Sequence, residues 1–169
     1  MLGGHLGVTN MDVGALQYLV DTFAIKTMID VGCGPGGMVK AARELGLIAY
    51  GLDGDIWCNA NIVHDFTKGP FEIERMDLAW SVEFLEHVEE RYMSNIFSVL
   101  NKCKYVFCTH NPKPGLWHSN CMPNEYWIDV FENNDFEYDE EVTLQVKKKS
   151  TMVKSFVQDN GTFFRNQRD

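Results

Sequence analysis

An apolar run, Thr27-Met28-Ile29, leads directly into Asp30-Val31-Gly32-Cys33-Gly34-Pro35-Gly36-Gly37. A strand that ends in closely spaced glycines and then a helix leaves backbone bare of Cβ atoms, where a polar ligand can approach. Such a junction points to an α/β chain with a ligand at the carboxyl end of the strand. Gly32, Gly34 and Gly37 fit G-x-G-x-x-G, which alone marks only a dinucleotide-type turn. Asp30, two residues before the first glycine, narrows the choice. A carboxylate there repels a pyrophosphate and attracts a ligand with a positive end.

Strands and helices alternate along the rest of the chain. Residues 12–23 place Val13, Leu16, Leu19, Val20 and Phe23 at helical spacing, and residues 26–31 form the first strand. Met38, Val39, Ala41, Ala42 and Leu45 mark a helix that Gly46 stops. Further strands are expected at 47–52, 61–64, 76–81 and 105–108, with a helix over 89–100. A loop rich in Pro, Gly and Asn over 111–123 precedes a helix capped by Asn124 and running to about residue 133, which buries Tyr126, Trp127, Val130 and Phe131. The tail holds a strand at 136–138, a helix or extended segment to about Lys154, and a last strand near 162–165. No repeat or linker interrupts the pattern, so residues 1–169 read as one domain. Strands separated by helices argue for a parallel sheet with helices on both faces. Ligands of such sheets sit at the carboxyl ends of the strands, where strand order reverses. One cleft should therefore collect Asp30 and the glycines, Asp53, His64-Asp65, Ser81 onward and Thr109 onward.

A formal charge of −9 argues against a surface that coats nucleic acid. Lys147, Lys148, Lys149 and Lys154 are a candidate basic patch or, more simply, a solvated helix face. Five cysteines, odd in number and without a C-x-x-C, favour reduced thiols in a cytoplasmic protein over disulfides or zinc. No apolar stretch approaches the ~20 residues that span a bilayer. Met1-Leu2-Gly3-Gly4-His5 lacks the basic flank and apolar core of a secretory signal. His5 is expected to be solvent-exposed or to sit on a segment that folds over the cleft.

The positive end that Asp30 favours suits the ammonium and sulfonium of S-adenosylmethionine, and argues against a nicotinamide dinucleotide. Asp53 ends the second strand, where a short carboxylate accepts two ribose hydroxyls; a plain turn before Gly54 is the competing reading. Asp65 is placed to accept the adenine amino group, with Phe66 or Trp57 against the ring; core packing is the alternative for Phe66. The expected cofactor set is Asp30, Gly32, Cys33, Gly34, Gly36, Asp53, Gly54, His64, Asp65, Phe66 and Ser81. Over most of its length the chain resembles the class I S-adenosylmethionine-dependent methyltransferases. The resemblance rests on Met28-Ile29-Asp30-Val31-Gly32-Cys33-Gly34-Pro35-Gly36, Gly51-Leu52-Asp53, His64-Asp65-Phe66 and Asp77 through Val88, with Leu85-Glu86-His87-Val88 at its end. It implies a Rossmann-like, seven-stranded, mostly parallel sheet with helices on both faces and the last strand antiparallel between the fifth and sixth. The segments between strands two and three, and three and four, are too short for full helices, so the fold is expected in a pared-down form.

A second constellation follows the fourth strand: Glu83-x-x-Glu86-His87, then His118, 31 residues after His87. Carboxylate and imidazole donors at the expected methyl position suit a divalent cation such as Mg²⁺ or Mn²⁺. Methyl transfer to a hydroxyl needs the oxygen's proton removed, and a bound cation stabilises the resulting anion. The pattern resembles that of the ubiquinone-pathway O-methyltransferases and the small-RNA 3′-end 2′-O-methyltransferases, which implies Glu83, Glu86, His87 and His118 as metal ligands and an acceptor with neighbouring hydroxyls. Two other readings stand beside it: a metal-free site with His118 or His110 as general base, and a structural role for the histidines. Asn111-Pro112-Lys113-Pro114 lies after the fifth strand and lacks a closing aromatic, so it reads as a turn. The acidic balance favours a small sugar or phenolic diol as acceptor. RNA 2′-O-methylation and a non-catalytic cofactor-binding subunit are the alternatives, and the sequence leaves the oligomeric state open.

Overall fold

The computed structural model describes residues 7–58 and 60–168; the expectation for His5 falls outside them. The elements follow as α1 (Val13–Phe23), β1 (Thr27–Val31), α2 (Gly37–Glu44), β2 (Ile48–Asp53), β3 (Ile62–Val63), β4 (Met76–Ser81), α3 (Met93–Leu100), β5 (Cys103–Cys108), α4 (Asn124–Glu132), β6 (Phe136–Tyr138), α5 (Glu140–Lys149), α6 (Phe156–Asn160) and β7 (Thr162–Asn166). They build one seven-stranded sheet in the order β3-β2-β1-β4-β5-β7-β6. The pairings among β1 to β5 are parallel, and β7 lies antiparallel between β5 and β6. This is the sheet that the resemblance implied.

Side chains alternate across the strands and divide the core into two faces. Met28, Leu78, Trp80, Tyr105, Phe107 and Phe163 pack with α1, α2 and α5. Ile29, Val31, Ala79, Val106, Cys108 and Phe164 pack with α3 and α4. The second face is incomplete over β2, where Ile48 and Tyr50 are 60% and 42% exposed because no crossover helix follows β2 or β3. Short connections at that end account for the pared-down form. Among the described residues no helix is long and apolar enough to cross a membrane.

Several boundaries differ from those expected. β2 extends to Asp53 because Asp53 pairs with Val63, and β5 begins at Cys103 opposite Met76. The helix expected over 89–100 is continuous only from Met93; residues 85–87 and 90–92 are single 3₁₀ turns, separated by extended backbone at Val88 and Glu89. Pro123, not Asn124, occupies the cap of α4, and the Asn124 Oδ1 instead accepts from the Thr162 hydroxyl at 2.9 Å. Trp127 and Phe131 are fully buried, whereas Tyr126 and Val130 are half-buried. The segment after β6 is helical because Asp139 caps it, accepting from the Val142 N–H at 2.9 Å. Lys147, Lys148 and Lys149 fill its last turn, where cations complement the helix dipole; the Lys147 ammonium donates to the Asp159 carbonyl. They form a helix end, and Lys154 lies apart from them.

Candidate functional site

Strand order reverses between β1 and β4, and the loops leaving β1, β2 and β4 surround a cavity of about 870 Å³. A volume of that size accommodates a cofactor together with a small acceptor. Asp30, Gly32, Cys33, Gly34, Asp53, Gly54, His64, Asp65 and Phe66 all line it. The register explains the gathering: Asp30 lies beside Gly51 of β2 and Trp80 of β4, so the three strands end at one level.

Within this half the glycine turn and Asp53 form one unit. The Gly34 N–H donates to Asp53 Oδ2 at 2.9 Å and the Asp55 N–H to Asp53 Oδ1 at 2.8 Å. The Cys58 thiol is a third partner, and since a carboxylate has about four acceptor positions, room for a ligand remains. Gly32 has φ +79°, and a Cβ there would stand 2.3 Å from the Phe84 ring. The glycine is therefore required by packing as well as by backbone conformation. Burial, reinforced by the charge of Asp53, pushes the Asp30 carboxyl up to about 8. Asp65 Oδ1 accepts from the Thr67 N–H at 2.9 Å and caps a short turn, while His64 Nε2 is hydrogen-bonded to the Gly69 carbonyl.

Three expected cofactor contacts lie elsewhere. The Ser81 hydroxyl is buried and donates to the Val31 carbonyl, tying β4 to β1 beneath the cavity. Gly36 turns the chain through a left-handed conformation into α2 and borders a second, smaller pocket. Trp57 is 78% exposed and does not line the cavity, whereas Phe66 and Phe84 do.

The other half of the cavity is built from the β4 exit and the long loop before α4. Ligand atoms of Glu86, His87 and His118 lie within 4.8 Å of one another. Glu86 is fully buried and neither carboxylate oxygen has a hydrogen-bond partner. Burial, then the charge of Glu83, pushes its pKa up to about 8. His87 Nδ1 is bonded to the Trp117 carbonyl at 3.0 Å and His118 Nδ1 to the Lys113 carbonyl at 2.9 Å. A carbonyl only accepts, so both Nδ1 atoms donate, and in the neutral rings each Nε2 carries the free lone pair. Burial, opposed by the Trp117 carbonyl, holds the His87 pKa below its ordinary value. A buried carboxylate without a partner, beside two imidazoles oriented by backbone carbonyls, is a donor set that fits a divalent cation.

Glu83 stands apart from this trio. Its N–H donates to the Thr109 hydroxyl at 2.8 Å, and that hydroxyl donates back to Glu83 Oε1 at 2.9 Å. The closed pair holds Glu83 at φ +54°, and Trp117 is held at φ +66°, so two non-glycine residues at the site have left-handed backbone. His110 is excluded as a base. Consecutive residues at a strand end point to opposite sides, so Thr109 reaches Glu83 while His110 turns under α4. There its ring lies 5.8 Å from Trp127, 1% exposed, outside the cavity lining. Burial, then the Lys147 charge, pushes it down to about 4.

Phe84, Thr9, Asn10, Trp117 and Lys154 also line the cavity without having been singled out as site residues in the sequence. Thr9 accepts from the Gly37 N–H at 3.0 Å, which fastens the segment before α1 to the glycine loop. Phe84 and Trp117 left a local trace, their places beside Glu83 and His118.

Residues 29–108 match the family model described as a methyltransferase domain. Among solved structures, a TehB-like SAM-dependent methyltransferase from Corynebacterium glutamicum is 16% identical with a TM-score of 0.64, over 92% of this chain and 89% of that one. The mitomycin 7-O-methyltransferase MmcR is 11% identical with a TM-score of 0.63, over 91% of this chain and 52% of that one, so this chain spans about half its length. The plantazolicin methyltransferase BpumL, solved in complex with SAH, is 14% identical with a TM-score of 0.59, over 91% of this chain and 83% of that one. No curated protein sequence matches the chain. The chain thus has the class I S-adenosylmethionine-dependent methyltransferase fold. The stretch that matches the family model carries the glycine loop, Asp53 and the Glu86-His87 pair.

Proposed function

We propose that this protein transfers the methyl group of S-adenosylmethionine to one hydroxyl of a small diol, with a divalent metal ion held by Glu86, His87 and His118. The observation that carries the metal-assisted part is the buried, unpartnered Glu86 carboxylate beside two imidazoles whose Nδ1 atoms are tied to carbonyls. A divalent cation bound there supplies charge that stabilises the deprotonated hydroxyl. In the cofactor half, Asp30 faces the ammonium, the free acceptor capacity of Asp53 takes the ribose, Asp65 takes the adenine edge, and Phe66 and Phe84 exclude water. The chain's main contribution is then to hold acceptor oxygen and methyl carbon in line. The five free cysteines support a reducing, cytoplasmic setting, and we read the chain as one domain.

The test is S-adenosylhomocysteine formation from S-adenosylmethionine with 1,2-dihydroxybenzene as acceptor, with Mn²⁺ or Mg²⁺ and after chelation. Product in the presence of metal and loss of product on chelation are expected. Turnover indifferent to chelation removes the metal from the reading. Transfer to the 2′-hydroxyl of an RNA and to no small diol moves the acceptor to nucleic acid. Cofactor binding without transfer to any hydroxyl favours the non-catalytic alternative.

Asp30 makes the cofactor step pH-dependent. Its carboxyl titrates near 8 in the free protein, so at pH 6 it is neutral and at pH 8 half ionised. An ammonium binds the ionised form, so S-adenosylhomocysteine affinity is expected to rise several-fold from pH 6 to 8, with proton release on binding. In Asp30→Asn the affinity falls and the pH dependence over that window flattens. Calorimetric titrations in buffers of different ionisation enthalpy measure both; an unchanged slope would remove Asp30 from the ammonium site.

A further inference from the structure

We propose that Lys154 selects for acceptors that carry an anionic group, which its ammonium receives at the mouth of the cavity. The proposal rests on the diol-methyltransferase reading and deepens it. The cavity is lined by acidic side chains on both sides: Asp30, Asp53 and Asp65 in the cofactor half, Glu83, Glu86 and Glu89 in the other. In a protein of formal charge −9, an anionic acceptor is favoured where a cationic side chain stands at the rim in addition to the proposed metal ion. Among the described lining residues Lys154 is the only lysine or arginine.

Its ammonium is available. Lys154 forms no ion pair with a described residue, and the nearby Glu83 carboxylate accepts from the Thr109 hydroxyl at 2.9 Å. Lys154 and Glu83 line the same cavity, so the ammonium borders the β4 exit where the acceptor would lie. On its other side the Nζ stands 5.2 Å from the centroid of the Phe156 ring, which also lines the cavity.

The segment that carries Lys154 is a built element. Asp12, fully buried at the start of α1, accepts from the Ala15 N–H at 3.0 Å, from the Thr151 N–H at 2.8 Å and from the Ser150 hydroxyl. The Gly14 N–H in turn donates to the Thr151 hydroxyl at 3.0 Å. One carboxylate therefore clamps the α5–α6 loop to the base of α1, three residues from Thr9 and its bond to the glycine loop. The anion received by this rim has two possible sources, an anionic substituent of the acceptor or the carboxylate of the cofactor's own methionine end.

Lys154→Met keeps most of the apolar stem and removes the charge. The probes are 3,4-dihydroxybenzoate, which is anionic, and neutral 1,2-dihydroxybenzene, each with S-adenosylmethionine and Mn²⁺, alongside calorimetric binding of S-adenosylhomocysteine. The wild type is expected to favour dihydroxybenzoate in kcat/KM by about tenfold. Lys154→Met should lose that preference through KM, with dihydroxybenzene turnover and S-adenosylhomocysteine affinity within about twofold of wild type, and Lys154→Arg should restore most of it. Equal losses for both probes, or no preference in the wild type, overturn the proposal. Weakened S-adenosylhomocysteine binding with the preference intact also overturns it and assigns Lys154 to the cofactor carboxylate. Cofactor binding with no transfer to either diol defeats the diol reading itself, and the Lys154 proposal falls with it.

Discussion

Replacing Asp53 with alanine is expected to weaken S-adenosylhomocysteine binding about 100-fold and to lower thermal stability as well. Two effects combine at this one carboxylate. Its unused acceptor capacity is assigned to the ribose, and a single charge-assisted hydrogen bond at ~1.5–3 kcal/mol reaches a loss of that size. Its occupied positions hold the Gly34 and Asp55 N–H groups. Without them the glycine turn loses its anchor to β2 and a backbone donor in a buried turn is left unsatisfied, at ~1–3 kcal/mol. Asp53→Asn separates the two. Its amide oxygen still accepts a backbone N–H, so most of the thermal stability should return while ribose binding stays weak. Calorimetric titration with parallel thermal melts reads both quantities. Unchanged affinity in Asp53→Ala would reduce Asp53 to a turn residue.

Glu86→Gln is expected to lower metal-dependent turnover more than about 100-fold and Mn²⁺ affinity more than tenfold, while making the metal-free protein more stable. The opposite signs follow from burial. Glu86 is fully buried without a hydrogen-bond partner and titrates near 8, against about 4.3 for an unfolded glutamate. Between those values the folded state binds the extra proton, so stability contributed by the protonated group is complete below about pH 4.3 and lost as pH rises to about 8. Glutamine removes this slope. The thermal advantage of Glu86→Gln should therefore grow by a few degrees between pH 5 and 8 and level off above. Melts of the chelated protein across that range, with Mn²⁺ titrations of both proteins, test the two halves independently. A stability gain with turnover unaltered would leave Glu86 as a buried acid with no part in the reaction.

Much of the architecture was legible because it is written in short-range patterns. The apolar run before Asp30, the helical spacing over 13–23 and the strongly apolar stretch at 76–81 each give their elements within a residue or two. The misplaced boundaries have non-local causes. β5 begins earlier than expected because β4 offers Met76 a partner at Cys103, and the turn near Leu85 stays 3₁₀ because Val88 and Glu89 are extended. The cofactor half was readable for a related reason. In a parallel sheet the polar residues after the strands gather at the shared carboxyl-end cleft, as Asp53, His64 and Asp65 do, although Ser81 turns to the Val31 carbonyl instead.

The acceptor half was legible only in part. Glu83, Glu86 and His87 are near neighbours in sequence, yet only Glu86 and His87 join His118. Thr109, 26 residues further on, draws Glu83 aside. His110 and Thr109 are adjacent, and the pleat sends one beneath α4 and the other to the site. Lys154 looked like the end of a lysine-rich helix until the Asp12 clamp carried its loop to the cavity.

By itself, then, the Asp30–Gly37 junction with its strand-end carboxylates determined the fold class and the end of the sheet at which the cavity opens. Those depend on strand direction and residue type, which are local properties. Which acid, which imidazole and which lysine line the second half of the cavity was decided by the tertiary structure alone, because each choice turns on a hydrogen bond or a pleat direction set by residues far away in sequence.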